Sequence, residues 1–254
     1  MAVAMPSRAM LLAAGLGRRM RPLTETLPKP LLTLQRRSLL DRALDRLAAA
    51  GVSEVVVNAH WHADQIATRL AAREAREPGH PRITLRREAS LLDTGGAVRA
   101  ALAEGLLPAE APFFIVNADS VWLDGPIPVL HRLAQAFDPA REDSLMLLTR
   151  GAFVTGSASP RGDFALDPLG IPRRPKEREI VPYLYAGVQI ATAALVADMP
   201  AGPFSLNLAW DRALEAGRLR GLVHDSLWFH FTRPLDLPDA EKMLRDAANL
   251  VPTT

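Results

Sequence analysis

Short apolar runs alternate with longer amphipathic stretches along the first half of the chain, and this alternation predicts strands and helices in turn. Ala9 to Ala13 reads AMLLA and is ended by Gly15 and Gly17, which suits a strand buried on both faces of a parallel sheet. Ser38 offers an N-cap to Leu39, Leu40, Ala43, Leu44 and Leu47, apolar at helical spacing, and Gly51 closes that helix. The β-branched run Val55 to Val57 predicts a second strand, which ends at Asn58-Ala59-His60 before a helical stretch with Ile66 and Leu70 on one face. Ile83 to Leu85 is a weaker strand and Val98 to Leu102 a short helix. Phe113 to Val116 is a further apolar run, stopping at Asn117-Ala118-Asp119. Repeated strand-helix units imply parallel strands with right-handed crossovers. The expected fold is therefore α/β, a Rossmann-like three-layer sandwich with a mostly parallel central sheet.

After Leu148 the pattern changes. The stretch Gly162 to Gly170 reads as a strand leading into a tight turn, and Pro172, Pro175 and Pro182 keep the next stretch extended. Leu184 to Ile190 and Leu227 to Phe231 read as strands and Leu206 to Ala216 as a helix. Pro238 suits the first position of a C-terminal helix carrying Met243, Leu244 and Leu250. No repeat, linker or low-complexity segment interrupts residues 1–254, so a single domain is expected.

Composition narrows the classes. At 254 residues, 48% apolar and 23% charged, the chain can bury a sizeable core, which excludes disorder and collagen-like repetition. Thirty basic against twenty-eight acidic residues leave a charge of only +2, so wholesale nucleic-acid binding is not expected, while a local anion site is. Cysteine is absent, which removes disulfides, thiolate metal sites and a thiol nucleophile and fits a reducing cytoplasm. The run Met10 to Ala14 is too short to span a bilayer, and Met1 to Ser7 lacks the charged start of a signal peptide. A cytoplasmic protein with no membrane partner is expected.

The densest chemistry lies in LLAAGLGRRMRPLTETLPKPLL, residues 11–32. Two glycines directly follow a buried strand, Arg18, Arg19 and Arg21 come next, and Lys29 sits between two prolines. Ligands of open parallel sheets bind outside the carboxyl ends of the strands, and glycines there let backbone N–H groups approach phosphate oxygens. Glycine spacing alone fits a solvated charge run after a turn equally well. Neither a P-loop nor the dinucleotide fingerprint matches, because Met20 stands where the latter needs its third glycine. Other residues have plain readings too. Asp119, Asp93 and Thr94 could cap helices, and Asp163 could be a turn residue. Trp228 reads as core, His60 and His62 as loop residues, and Asp211 as part of a solvated face.

The whole 11–32 segment resembles the signature of the sugar-1-phosphate nucleotidyltransferases, in which Gly-x-Gly-x-Arg is followed by Pro-Leu-Thr and Pro-Lys-Pro. The resemblance continues through Asp93-Thr94-Gly95-Gly96-Ala97, similar to the family's base-binding loop, and Asn117-Ala118-Asp119, similar to its metal-binding aspartate. Gly162-Asp163-Phe164, Tyr185-Ala186-Gly187 and Phe204-Ser205-Leu206-Asn207 add sugar-side matches, so that it spans Ala9 to Pro234. It implies an enzyme that uses Mg2+ to move a nucleotidyl group from an NTP to a sugar 1-phosphate, releasing pyrophosphate. By the same resemblance Arg19, Lys29 and Asp119 are catalytic, while Ala13, Ala14, Gly15, Gly17, Arg18, Asn58, Thr94, Gly95 and Asn117 bind the nucleotide. Asp163, Gly187 and Asn207 bind the sugar, and Asp119 holds the metal, with Asn207 or His230 as a further ligand.

The nucleotide falls to residues 1 to about 125 and the sugar phosphate to the remainder, in a monomer or homodimer. Within the family the length and spacings most resemble bacterial uridylyltransferases acting on N-acetylmuramate 1-phosphate in cell-wall recycling, which favours UTP; mannose-1-phosphate guanylyltransferases come next. Two positions depart from the pattern. Arg18 replaces a usual Thr, and the family's Trp-x-Asp-x-Gly-Thr-Pro reads Trp228-Phe229-His230-Phe231-Thr232-Arg233-Pro234, putting a histidine where a second metal carboxylate is expected. A hard cation prefers oxygen, so a non-catalytic nucleotide-sugar binder of the same fold is the alternative. A Rossmann oxidoreductase is disfavoured by Met20.

Overall fold

The computed structural model describes residues 4–78, 81–151, 154–156 and 161–249. Its first strand, β1 (Arg8–Leu12), is the expected buried run, and its side chains alternate across the sheet. Ala9 and Leu11 join an apolar cluster on one face, Met10 and Leu12 the cluster on the other. A two-residue hairpin, β2 (Thr33–Leu34) and β3 (Arg37–Ser38), leads into α1 (Leu39–Ala49). Then come β4 (Glu54–Ala59), α2 (Ala63–Arg76), β5 (Arg82–Arg87), α3 (Asp93–Ala103), β6 (Phe113–Asn117) and β7 (Val121–Trp122). The second half supplies α4 (Val129–Ala136), β8 (Ser144–Arg150), β9 (Val154–Gly156), β10 (Ala165–Leu166), β11 (Pro172–Arg173) and β12 (Tyr183–Ala191). It closes with α5 (Leu206–Glu215), β13 (Leu219–Val223), β14 (Trp228–His230) and α6 (Asp236–Asn249).

Seven strands form the central sheet in the order β13-β8-β12-β6-β1-β4-β5, all parallel except β12, which runs against both β6 and β8. Leu44 of α1, Ile66 of α2 and Leu133 of α4 pack on one face, while Val98 of α3 and Trp210 and Ala213 of α5 pack on the other. This is the expected three-layer sandwich. From β1 the chain moves outward through β4 and β5, then returns to the opposite side of β1 as β6. Such a reversal opens a crevice at the carboxyl ends of the two strands it separates.

Local chemistry explains why α1 starts where it does. Ser38 Oγ accepts from the Asp41 N–H at 3.1 Å and donates to the Asp41 carboxylate at 2.5 Å, and Arg69 of α2 donates to the same carboxylate at 2.6 Å. Burial opposes ionisation of Asp41, yet the Ser38 hydroxyl and the Arg69 guanidinium hold its carboxyl below the ordinary value.

Several elements differ from expectation. The predicted strand in Gly162 to Gly170 is reduced to β10, which pairs with β11 across a turn in which Asp167 Oδ1 accepts from the Leu169 and Ile171 N–H groups. Pro238 is the third residue of α6, because Asp236 begins the helix and its Oδ2 accepts from the Thr232 and Arg233 N–H groups, each at 2.7 Å. Leu250 lies outside the described residues, as do residues 1–3 of the N-terminal stretch. The pattern foreshadows neither α4, only eight residues long, nor edge strand β13, whose Arg220 and Gly221 interrupt its apolar run. Among the described residues no helix is long and apolar enough to cross a membrane.

Candidate active site

A cleft of about 410 Å³ opens where β1, β4 and β6 end. Its floor is the loop after β1: Ala13 and Ala14 are buried, and a Cβ placed on Gly15 would meet nothing within 4 Å, so this backbone faces open space. The chain then turns through Arg18 to Met20 in one 3-10 turn. Met20 is buried among Leu34, Leu39, Phe229 and Phe231 and anchors the turn, which leaves Arg18 and Arg19 exposed on the cleft rim. Arg21 does not line the cleft.

Pro28 caps a second 3-10 turn, residues 29–31, and Pro30 lies within it, so that the two prolines flank Lys29 and carry it to the opposite wall. There Lys29 Nζ donates to Asp119 Oδ2, across a separation of 90 residues. Asp119 stands in the turn after β6, fixed by Ala118 N–H to the Leu12 carbonyl at 3.0 Å and Ser120 N–H to the Asn117 carbonyl at 3.0 Å. Burial opposes its ionisation, but the Lys29 ammonium, as charge and as hydrogen-bond donor, holds the carboxyl below the ordinary value.

His230 reaches the same place from the C-terminal half. β14 runs antiparallel to β7 with Trp228 opposite Trp122 and Phe229 opposite Val121, and the next residue, His230, comes near enough to Lys29 and Asp119 for their charges to act on it, although it does not line the cleft. Burial lowers the His230 pKa, the Lys29 ammonium lowers it further, and Asp119 only partly opposes them. At neutral pH the imidazole is therefore neutral.

Other expected residues prove to be committed elsewhere. Asn58 lines the cleft, but its Oδ1 accepts from the Ala13 N–H at 2.8 Å and its Nδ2 donates to Glu88 at 2.8 Å. Thr94 Oγ1 accepts from the Leu206 N–H at 2.9 Å, and the Gly95 and Gly96 N–H groups both donate to the Phe204 carbonyl. A Cβ on Gly95 would lie 2.3 Å from the Phe204 ring, and one on Gly96 2.3 Å from the Gly202 carbonyl oxygen. The two glycines thus let residues 202–206 cross the start of α3, and Gly95 does not line the cleft. Asn117 does line it.

On the other side of the sheet switch, Asp163 Oδ2 accepts from the Tyr185 N–H at 2.9 Å. Asn207 is exposed, and its Oδ1 accepts from Arg174, whose guanidinium lies 4.5 Å from the Phe164 ring centroid and also donates to Asp211 at 2.7 Å. Asn207 and Asp211 do share a helix face, bound by one arginine. Asp163, Gly187 and Asn207 do not line the cleft. Trp228 is core, while His60 and His62 bond the Glu88 and Glu25 carbonyls. Among the described residues no three His, Asp or Glu side chains gather where they could hold a metal. Sequence reasoning passed over Glu88 because Arg86-Arg87-Glu88 looks like a solvated charge run, although Glu88 is only 7% exposed.

Residues 9–195 match the family model described as the MobA-like NTP transferase domain. The chain belongs to this NTP transferase family. The transferase is 40% identical over 243 residues, 95% of its length and 98% of the relative's, to the N-acetylmuramate alpha-1-phosphate uridylyltransferase of Caulobacter vibrioides. It is 36% identical to the mannose-1-phosphate guanyltransferase of Aspergillus fumigatus, over only 115 residues, 45% of the transferase and 30% of that relative. The structure of the inositol-1-phosphate CTP transferase from T. maritima superposes with a TM-score of 0.76 at 16% identity, covering 98% and 99% of the two chains, a likeness of fold. The transferase is thus an enzyme of the sugar-1-phosphate nucleotidyltransferase kind.

Proposed function

We propose that the enzyme transfers a uridylyl group from UTP to N-acetylmuramate 1-phosphate, yielding UDP-N-acetylmuramate and pyrophosphate. The observation that carries a phosphoryl-type transfer is the meeting of Lys29, Asp119 and the Arg19 rim at the glycine-loop cleft. The near full-length match to a uridylyltransferase, against a match to a guanyltransferase that stops at 115 residues, supports this base and sugar. A cytoplasmic setting in cell-wall recycling accords with a chain free of cysteine. The nucleotide occupies the part up to about residue 125, and the sugar phosphate the remainder.

In the reaction an oxygen of the sugar phosphate attacks the α-phosphorus, and the bond from that phosphorus to the bridging β-oxygen breaks, its electron pair leaving with pyrophosphate. No covalent enzyme intermediate is needed, since a phosphate monoester is itself a nucleophile. Two anions must approach, so positive charge at the meeting point decides the rate. Arg19 and Lys29 supply it, with Lys29 exchanging the Asp119 carboxylate for phosphate oxygens. Backbone N–H groups of Ala14 to Gly17, together with Arg18, seat the triphosphate.

Magnesium is bound by one or two carboxylates and completes its shell with substrate phosphates and water. Two carboxylates line the cleft, Asp93 and Asp119; Asp93 accepts from the Thr94 N–H, and Asp119, beside Lys29, fits an ion that arrives with the nucleotide rather than one caged by protein. Bound there, the ion would neutralise charge on the phosphates as the transferred phosphorus is attacked. His230 would be placed to hydrogen-bond the sugar phosphate, or water around an ion held at Asp119. Asn207, engaged with Arg174, serves the sugar side.

Pyrophosphate release measured for the four NTPs against a panel of sugar 1-phosphates tests this reading. The highest kcat/KM is expected for UTP with N-acetylmuramate 1-phosphate. Preference for GTP with mannose 1-phosphate would install the guanylyltransferase reading instead, and no release from any pair would leave a non-catalytic binder. His230→Asp restores a carboxylate beside Asp119 and should lower the magnesium concentration for half-maximal rate about tenfold. The rate near neutral pH should change little in profile, because burial and the Lys29 charge hold the wild-type imidazole below its ordinary pKa. An unchanged magnesium titration would remove His230 from the metal's surroundings.

A further inference from the structure

Two walls of the cleft are tied to one buried side chain that takes no part in the transfer reaction. Glu88 follows β5 and faces two hydrogen-bond donors: Oε1 accepts from Asn58 Nδ2 at 2.8 Å, and Oε2 accepts from the Leu92 N–H at 3.2 Å. The Asn58 amide, oriented in this way, turns its Oδ1 to the Ala13 N–H at 2.8 Å, where the glycine loop begins. A flipped amide would set its NH2 against that N–H and its oxygen against the Glu88 carboxylate. Leu92 directly precedes Asp93 and Thr94, which line the cleft. The backbone of Glu88 is held as well. Its N–H donates to the Ala59 carbonyl at 2.8 Å, and its own carbonyl accepts from His60 Nδ1 at 2.9 Å. Arg86 Nη1 stands 3.6 Å from Oε1 and balances the charge.

The two donors face different oxygens of Glu88, so each needs an acceptor at its own position. A carboxylate supplies both, whereas the amide of glutamine would point an N–H at one of the two donors, and in a buried place water cannot repair the mismatch. On the reading that this cleft holds the nucleotide, we infer that Glu88 is a positioning residue for it. Through Asn58 it fixes the Ala13 end of the glycine loop, and through Leu92 it fixes the loop of Asp93 and Thr94, so the separation of the two walls is set by one carboxylate. Lys29, Arg19 and Asp119 are not attached to this chain of bonds. Loss of Glu88 therefore weakens nucleotide binding and leaves the chemical step nearly intact.

Glu88→Gln separates these effects. With UTP and N-acetylmuramate 1-phosphate as substrates, the KM for UTP should rise about tenfold while kcat stays within about threefold and the KM for the sugar phosphate is unchanged. Calorimetric titration of UTP with magnesium should show the same weakening in Kd. Asn58→Ala cuts only the arm to the glycine loop and should also raise the UTP Kd, and the double variant should lose less than the product of the two single losses, because both act through one chain of bonds. Amide hydrogen exchange adds a readout without substrate: Ala13 and Leu92 should exchange faster in Glu88→Gln, while Met10 and Leu11 stay protected.

An unchanged UTP Kd in both variants overturns the inference. So does a loss shared equally by kcat and both KM values, which would mark a merely structural role. Should Glu88→Gln not fold, Asn58→Ala decides alone, by the same two measures. A wild-type enzyme that binds no NTP would instead overturn the nucleotide reading of the cleft.

Discussion

Asp119→Asn is expected to cut turnover by about a thousandfold or more, equivalent to ~4 kcal/mol of transition-state stabilisation. The substitution keeps the shape of the side chain, and with it the turn after β6, but removes the charge that faces Lys29 and the cleft. Two consequences separate a catalytic role from a structural one. The Lys29 ammonium loses its partner in a half-buried setting, which should lower the melting temperature of the free protein by only a few degrees, since a partly solvated pair contributes about 1 kcal/mol or less. Activity should collapse at saturating UTP and sugar phosphate, because the lost interaction belongs to the reacting state. A variant that keeps full turnover across a magnesium titration would refute the assignment.

Gly187→Ala should produce a large loss of stability from a single methyl group. Gly187 lies in β12 with φ 72°, and a Cβ there would sit 2.1 Å from Ser120 Oγ and 2.9 Å from Asn117 Nδ2. Ser120 cannot simply turn aside, because its hydroxyl donates to the Ala186 carbonyl at 3.0 Å. Left-handed backbone costs an L-residue about 1–2 kcal/mol and overpacking about 1–3 kcal/mol, so a total of about 2–5 kcal/mol is expected, or a melting temperature lower by about 4–20 °C. Gly51→Ala is the control. Its φ is 84°, yet nothing lies within 4 Å of the added carbon, so only the backbone term remains. Since the displaced turn also carries Asp119, kcat of Gly187→Ala should fall about tenfold even well below its melting point. Equal melting temperatures for the two variants would remove the collision from the account.

Gly187 also shows how the two halves of the chain meet. The reversed strand β12 must pass close to the end of β6, and only an absent side chain permits that contact. The run Leu184 to Ile190 is readable as a strand from its composition, but its antiparallel direction is not, because direction depends on which neighbours it pairs with. The same holds at α3, where Gly95 and Gly96 read as a ligand loop and the tertiary structure adds that residues 202–206 cross there. Asn58 reads as a ligand at a strand end, and its side chain is spent on Ala13 and Glu88.

What the sequence determined by itself is local: buried strands from continuous apolar runs, helix starts from Ser38, and the glycine, arginine and proline-flanked lysine segment that marks an anion site. These signals arise within a few residues, where chain geometry and side-chain chemistry act directly. Only the tertiary structure decided that Lys29 meets Asp119 across 90 residues, that His230 stands beside them through the pairing of β14 with β7, and that Glu88 is buried between two loops. Those contacts depend on how separate elements pack. Burial then reverses the meaning of a charged residue, turning what looks like a solvated glutamate into one that two donors must satisfy.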